Sequence, residues 1–115
     1  MDQKLREEIA QLHAQICGGL ADANRILLLY MLADHPSKVN ELSSSLGLPQ
    51  PTVSRHLKNL RERGLVTAER DGQSVTYSLA DKRVIQALDL LRAVLTNQIN
   101  SRAALVHTAD ISNRS

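Results

Sequence analysis

The sequence predicts a single domain of mainly α-helical structure with one small β-hairpin, an α+β arrangement. Apolar residues recur at intervals of three and four along most of the chain, which is the spacing of helix faces. Polar and apolar residues alternate on both sides of Asp71-Gly72, which indicates two antiparallel strands joined by a tight turn. With 43% hydrophobic residues among 115, the chain can bury a core, and this core is aliphatic because there is no Phe or Trp.

Two helices are predicted before residue 35. The first covers about 4–17, and the glycine pair at 18–19 predicts its end. Its apolar stripe consists of Leu5, Ile9, Leu12 and Ile16. The second covers about 20–34 and is apolar on nearly all sides between Ile26 and Leu32, so we expect it at the centre of the core. His35-Pro36 predicts its end.

A short helix, a tight turn and a second helix are predicted next, which together form a helix-turn-helix over 40–63. The short helix covers 40–46, with Asn40 as its N-cap and Gly47 as its end. The second helix covers about 50–63 and ends at Gly64. Its inward-facing residues are Val53, Leu57 and Leu60.

The hairpin should turn at Asp71-Gly72, the favoured pair for a two-residue type I′ turn. This turn pairs Arg70 with Gln73 and keeps the apolar residues of both strands on one face. The expected pairs on that face are Ala68 with Val75 and Val66 with Tyr77.

A last long helix follows over about 82–102, and Asp81 is its predicted N-cap. Its apolar stripe consists of Val84, Leu88, Leu91, Leu95 and Ile99, broadened by Ile85 and Val94. The tail at 103–115 either continues this helix or frays.

The charge is distributed unevenly along the chain. The formal net charge is only +2, but residues 55–70 carry five basic side chains against two acidic ones. A local basic stretch on a nearly neutral chain indicates a directed anionic partner. Single-stranded nucleic acid is an unsuitable partner, because it is usually held by several aromatic side chains and this chain has only two tyrosines.

The cysteine count and the apolar runs predict a cytoplasmic protein with no membrane partner. Cys17 is the one cysteine, so an intrachain disulfide is impossible, as expected in a reducing compartment. The N-terminus is charged and helical, unlike a signal sequence. The longest apolar run, from Ile26 to Ala33, has eight residues and is too short to cross a bilayer.

The second helix of the helix-turn-helix has the composition of a DNA reader. Such a helix enters the major groove, where slim hydrogen-bonding residues at its start reach base edges and cations farther along meet phosphates. The predicted base contacts are Gln50, Thr52, Ser54, Arg55 and His56. The predicted phosphate contacts are Lys58, Arg61 and Arg63.

The hairpin would act as a wing beside this helix, with Arg70 and Gln73 reaching a phosphate or the minor groove. The alternative is an amphipathic surface helix whose charges are only solvated. The succession of a short helix, a polar-tipped helix and a hairpin favours contact with double-stranded DNA.

Three stretches carry a family resemblance: GLADANRILLLYML, ELSSSLGLPQPTVSRHLKNLRERGLV and ERDGQSVTYSLAD. They resemble the winged helix-turn-helix repressors of the ArsR/SmtB family over about residues 19–81. The resemblance implies a homodimeric bacterial repressor that binds an operator, an imperfect inverted repeat, and releases it on meeting an inducer. This chain has Pro49 where family members often have the serine that caps the second helix.

The first and last helices carry apolar stripes that a small winged domain leaves uncovered, and helices of this kind are poorly stable alone. We therefore expect them to be dimerisation helices that cover each other across a two-fold axis, although both could instead fold back on one chain. The residues expected at the interface are Leu5, Ile9, Leu12, Ile16, Leu88, Leu91, Leu95 and Ile99.

The inducer sites known for the family do not carry over to this chain. The places of its Cys-x-Cys thiolate pair are taken by Lys38 and Asn40. In the last-helix site Asp81 fits, but the other places are taken by Arg83, Val94 and Asn97. Lysine and arginine are poor metal ligands, so we expect neither a metal site nor a cofactor. The family's paired-cysteine redox switch needs two thiols.

Three other functions have weaker signals in the sequence. His13 and Cys17 lie four residues apart and could bind a metal together with His107 of the partner, but a lone cysteine is more often a small buried apolar residue. An enzyme would need a third orienting group and a pocket, for which there is no signal. A winged helix could also serve only for protein interaction, and salt-sensitive binding to duplex DNA would distinguish a DNA reader from such a module.

Overall fold

The computed structural model describes the backbone of residues 1–114 and the side chains of residues 1–103. It contains helices and two strands in the order α1 (Gln3–Leu12), a π-helical turn (His13–Cys17), α2 (Gly18–Leu20), α3 (Ala23–Asp34), α4 (Val39–Leu46), α5 (Gln50–Glu62), β1 (Val66–Asp71), β2 (Ser74–Leu79) and α6 (Arg83–Arg114). Two compact units result, Met1–Lys82 and the helix from Arg83 onward. The predicted combination of helices with one antiparallel hairpin is confirmed.

The N-terminal helix does not end at its paired glycines, so that prediction was wrong. A π-helical turn at His13–Cys17 is followed directly by α2, and Gly18 has the helical angles φ −59° and ψ −35°. We call the continuous run from Gln3 to Leu20 the N-terminal helix. A glycine pair is typical of a helix end in sequence, but here it lets the side chain of Arg63 approach the helix backbone closely.

Helix α3 lies at the centre of the core, as predicted. Asp22 is its N-cap, and its carboxylate accepts hydrogen bonds from the backbone N–H groups of Asn24 at 2.8 Å and Arg25 at 3.3 Å. Leu28 and Leu29 on this helix are fully buried. The fully or almost fully buried side chains around them are aliphatic: Leu42, Val53, Leu57, Leu60, Leu65 and Val66.

Helix α4 begins one residue earlier than predicted and Asn40 is not its N-cap. The cap position is occupied by Lys38, whose backbone N–H donates to the Glu41 carboxylate at 3.1 Å. Glu41 therefore satisfies a backbone donor that the lysine side chain cannot. Gly47, with φ +67°, ends the helix as predicted.

The hairpin forms, but its predicted register was wrong by two residues. Asp71 pairs with Ser74, and Gly72 and Gln73 form the loop. Positive φ at Gly72 but not at Gln73 is the pattern of a type II′ turn, and it avoids the positive φ that a type I′ turn would impose on Asp71. A shift of two residues leaves each side chain on its face, so the apolar face survives with Ala68 opposite Tyr77 and Val66 opposite Leu79.

The last helix continues into the tail. It runs from Arg83 to Arg114, so Lys82 rather than the predicted Asp81 directly precedes it. Leu88 is only 5% exposed, whereas Leu91, Leu95 and Ile99 are more than half exposed. Within the described part of the chain no single helix is long and apolar enough to cross a membrane, and the one pair that passes together, Gln3–Leu20 with Ala23–Asp34, is bent by 83°.

Candidate nucleic-acid interface

The turn between α4 and α5 is fixed by hydrogen bonds to Ser43. Its carbonyl accepts from the backbone N–H groups of Gly47 at 2.9 Å and Leu48 at 3.2 Å, and its hydroxyl donates to the Leu48 carbonyl. Helix α5 then begins at Gln50, with Pro49 in the cap position and its carbonyl accepting from Val53 N–H at 3.2 Å. The helix therefore starts at the predicted place without a capping hydroxyl.

Helix α5 has a fully buried face and a polar solvent face. Val53, Leu57 and Leu60 are 0% exposed, which fixes the rotation of the helix about its axis. Five of the residues predicted to contact DNA lie on the exposed face: Gln50, Ser54, Arg55, Lys58 and Arg61. The side chains that can form hydrogen bonds or carry positive charge thus project away from the core.

Two other predicted contacts, Thr52 and His56, lie half-buried along the flank of α5. The Thr52 hydroxyl accepts a hydrogen bond from the Arg55 guanidinium at 3.4 Å, a long contact that restricts where the arginine points. His56 lies close enough to Asp22 to affect its titration. Burial alone would raise the pKa of the Asp22 carboxyl, but the two backbone hydrogen bonds and the nearby His56 and Arg25 hold that pKa below its usual value.

Arg70 near the end of β1 and Gln73 in the loop of the hairpin are both exposed to solvent. Arg70 lies between Glu69 and Asp71 in sequence, and strand alternation directs these two acidic side chains to the opposite face. A backbone bridge that the sequence did not reveal ties the middle of β2 to the segment before α4. Ser37 N–H donates to the Tyr77 carbonyl at 3.0 Å, and Tyr77 N–H donates to the Ser37 carbonyl at 2.8 Å.

Arg63, a predicted phosphate contact, is turned toward the N-terminal helix rather than to the exposed face of α5. Its guanidinium is half-buried against the N-terminal helix, where Nη1 donates to the carbonyls of Ala14 at 2.6 Å and Gln15 at 2.9 Å. Its Nε donates to the Asn59 side-chain oxygen at 3.0 Å. The glycine pair was the signal in the sequence that could have revealed this contact. A glycine pair inside a helix leaves space for a large side chain from another segment.

A second arginine that the sequence analysis missed holds the same helix end. Arg25 Nε donates to the Gly19 carbonyl at 2.8 Å, and its Nη2 donates to the Gly18 carbonyl at 3.2 Å. Arg25 and Arg63 together donate hydrogen bonds to four backbone carbonyls of this helix, those of Ala14, Gln15, Gly18 and Gly19. The last four carbonyls of a helix lack intrahelical donors, so Arg25 stabilises the end of this helix at Gly18 and Gly19.

The structure places His13 and Cys17 on the exposed surface of the π-helical turn. The expectation of a buried cysteine was wrong, because the buried side of this helix is taken by the glycine pair. Among the residues described, no group of three or more His, Cys, Asp and Glu side chains could hold a metal ion. The third candidate ligand, His107, lies outside the described side chains.

Comparison with known sequences identifies relatives among bacterial regulators. Residues 22–68 match the model for the bacterial regulatory protein, arsR family. The HTH-type transcriptional regulator KmtR of Mycobacterium tuberculosis is 46% identical over 67 residues, which cover 58% of this chain and 52% of KmtR. This chain thus spans about half the length of KmtR. Rv0081, an HTH-type transcriptional regulator of the same organism, is 35% identical over 101 residues, covering 87% of this chain and 89% of Rv0081.

Solved structures share the fold over most of the chain. The crystal structure of M. tuberculosis Rv0081 superposes with a TM-score of 0.73 at 33% identity, covering 83% of this chain and 96% of that one. The NMR structure of the homodimeric winged helix-turn-helix DNA-binding domain of Mb0332 from Mycobacterium bovis gives a TM-score of 0.72 at 25% identity, covering 86% of this chain and 91% of that one. The fold is therefore a winged helix-turn-helix, as predicted.

Proposed function

Because this chain belongs to the ArsR family of bacterial regulatory proteins, we propose that it is a homodimeric transcriptional repressor that binds operator DNA sequence-specifically. The observation that carries the proposal is the orientation of α5. Its apolar face is completely buried, and its opposite face presents Gln50, Ser54 and Arg55 near the start, followed by Lys58 and Arg61. We call α5 the recognition helix.

The order of these side chains supports base contacts at the start of α5 and phosphate contacts farther along it. Gln50 and Arg55 can form two hydrogen bonds each, glutamine with adenine and arginine with guanine, and they lie in the first two turns, where a helix approaches base edges. Ser54 and Thr52 are small enough to let the helix enter the groove. Lys58 and Arg61 follow on the exposed face, at a position suited to phosphates. The wing residues Arg70 and Gln73 would extend the contact.

Exposed apolar side chains support the homodimer. On the N-terminal helix, Leu5, Ile9 and Leu12 are 43–51% exposed, and on α6, Leu91, Leu95 and Ile99 are 56–60% exposed. Side chains of this kind in contiguous stripes mark an interaction surface. The related Mb0332 domain is a homodimer. Two copies of the recognition helix, related by a two-fold axis, would read the half-sites of an inverted repeat about one helical turn apart.

Repression and a cytoplasmic location are consistent with this way of binding. A dimer seated on an operator competes with polymerase for the same DNA and needs no additional contact surface to do so. The bacterial chromosome is in the cytoplasm, where the single thiol of Cys17 stays reduced. Lys38, Arg83, Val94 and Asn97 at the ligand positions of the family support a regulator without its usual metal sites.

The test is selection of preferred sequences from a random duplex library, followed by titration of the selected duplex at several salt concentrations. We expect an inverted-repeat consensus and an affinity that falls steeply with salt, by a slope of about 0.9 per phosphate contacted. A scrambled duplex of the same length is the control. Equal binding to both duplexes, or binding unaffected by salt, would contradict the proposal and favour a protein-interaction module. A reporter gene that the protein switches on would contradict repression alone.

A further inference from the structure

We infer that Arg63 is a positioning residue for DNA recognition, which fixes the recognition helix against the N-terminal helix and does not itself touch DNA. This inference rests on the proposed function and adds to it a residue that governs the placement of α5. Arg63 directly follows α5, and its side chain contacts residues 48 and 49 positions earlier in the chain.

The guanidinium of Arg63 joins three acceptors on two elements. Its Nη1 donates to the Ala14 and Gln15 carbonyls of the N-terminal helix, and its Nε donates to Asn59 on the flank of α5. The planar fork of arginine can satisfy several acceptors at once, and charge-assisted hydrogen bonds of this kind are stronger than neutral ones. The result is a cross-link between the recognition helix and the N-terminal helix, which we call the Arg63 clamp.

The π-helical turn makes one of these acceptors available. In a regular α-helix the Ala14 carbonyl would accept from the N–H of Gly18, four residues on. Here Gly18 N–H bonds to the carbonyl of His13, five residues back. The Ala14 carbonyl is thereby released from its usual partner and receives the guanidinium of Arg63 instead. Single π-helical turns of this kind are rare and occur frequently at functional sites.

The glycine pair makes room for the clamp. A Cβ atom at Gly18 would lie 2.6 Å from Arg63 Nη1, and one at Gly19 would lie 2.9 Å from both Arg63 Cδ and Leu65 Cδ1. Both distances are shorter than van der Waals contact permits. The π-helical turn, the glycine pair and the arginine therefore depend on one another. Arg25 holds the carbonyls of Gly18 and Gly19 from the α3 side, so the helix that Arg63 contacts is itself anchored to the core.

The position of the clamp separates it from the phosphate contacts. Lys58 and Arg61 point outward from α5, whereas the guanidinium of Arg63 is turned toward the carbonyls of the N-terminal helix. A phosphate contact contributes to both the affinity and its salt dependence. A positioning residue contributes to affinity alone, because its removal leaves the number of neutralised phosphates unchanged.

The experiment compares Arg63→Ala, Arg63→Lys and Arg61→Ala in the full chain, by titration of the selected duplex at several salt concentrations. We expect Arg63→Ala to weaken binding about tenfold with the salt slope of the unaltered protein. Arg61→Ala, the matched control two residues away, should lower the slope by about 0.9 per contact. Arg63→Lys keeps the charge but loses the fork, so its affinity should stay near that of Arg63→Ala.

Gly18→Ala provides a test that keeps every charge. The new methyl group would displace the guanidinium, so this variant should show the same weakening with an unchanged slope. The double variant Gly18→Ala/Arg63→Ala should bind no more weakly than either single variant, because both remove the same clamp. A double variant whose losses add would overturn the inference.

Hydrogen exchange of the DNA-free protein tests the clamp independently of DNA binding. In Arg63→Ala we expect faster exchange of the amides in 13–20 and 50–62, with the amides of α3 unchanged. Unchanged exchange in 50–62, full rescue by Arg63→Lys, or a salt slope lowered as in Arg61→Ala would each overturn the inference. If the unaltered protein binds no duplex in a salt-dependent way, the proposed function fails, while the exchange comparison still decides whether the clamp exists.

Discussion

At the scale of single residues, Gln50 and Arg55 differ from the other exposed side chains of the recognition helix in their ability to read bases. Substitution of either by alanine should cost about 1–3 kcal/mol of binding free energy and relax specificity at one position of each half-site. The measurement is affinity for the selected duplex and for duplexes altered one base pair at a time. Lys58→Ala is the control, since it should weaken binding to all of them equally. Uniform weakening by Gln50→Ala and Arg55→Ala would assign these residues to phosphates instead.

Arg70 at the wing is expected to supply electrostatic affinity without sequence preference. Arg70→Ala should weaken binding to all duplexes alike and lower the salt slope by about 0.9 per contact. Gln73→Ala, at the loop of the same hairpin, keeps the charge and should leave the slope unchanged. If the slope in Arg70→Ala equals that of the unaltered protein, the wing is not part of the interface.

Cys17 is exposed, yet we expect it to be dispensable. A firm zinc or arsenite site needs three or four donors, and the described residues offer Cys17 no such set. Cys17→Ser should therefore bind the operator as the unaltered protein does and leave any metal response the same. The measurement is titration of the DNA complex with Zn(II) and As(III), followed through DNA release. Release by the unaltered protein that disappears in Cys17→Ser would restore the candidate site of His13, Cys17 and His107.

At the scale of elements, the start of α3 depends on Asp22. The folded-state pKa of Asp22 lies below its unfolded value, so the stabilisation it contributes is present above the unfolded pKa near pH 4 and is lost as the pH falls through the folded pKa. Asp22→Asn keeps a good N-cap but cannot titrate. We expect its melting temperature to fall less between pH 5 and pH 3 than that of the unaltered protein, by circular dichroism. Asp22→Ala should have a lower melting temperature at both values. Equal acid sensitivity of the asparagine variant would show that Asp22 makes no such contribution.

Elements were predictable from the sequence where the signal was local. The inner face of α5 follows from the spacing of Val53, Leu57 and Leu60 and needs no information from other parts of the chain. The turn register was missed because Asp71-Gly72 and Gly72-Gln73 both fit a hairpin, and the choice depends on which residue takes a positive φ. The two registers place side chains on the same faces, so the alternation could not distinguish them.

The end of the first helix was missed for a different reason. Gly18 and Gly19 have the same local signal whether they end a helix or admit a side chain from outside. The deciding residue, Arg63, lies more than 40 positions away and was assigned to phosphates because it follows the basic helix. The local spacing of residues does not show which distant segments of the chain approach each other. For this reason the exposed cations of the candidate site could be predicted, whereas the Arg63 clamp could not.

At the scale of the whole molecule, the dimer proposed from the exposed stripes can be tested on the N-terminal helix. Leu12 is 45% exposed in the single chain. Leu12→Glu would place a charge at a dry interface and should raise the dimer dissociation constant at least about tenfold. Light scattering over a dilution series measures this, and affinity for a duplex with two half-sites should fall in parallel. Gln11→Glu, its exposed neighbour, is the control. A Leu12→Glu protein that remains dimeric would exclude this stripe from the interface.

The backbone bridge between Ser37 and Tyr77 affects how much conformational entropy the wing would lose on binding. A two-stranded hairpin is marginally stable alone, and this one is held at Tyr77 by the paired hydrogen bonds of the bridge. We therefore expect Gly72 and Gln73 to be held less firmly than Tyr77, so that the conformational entropy lost if the wing meets DNA would fall mainly on the tip. Changes of sequence at the tip would then tune this entropy with little effect on the thermal stability of the domain, whereas loss of the bridge would spread the same cost over the whole hairpin.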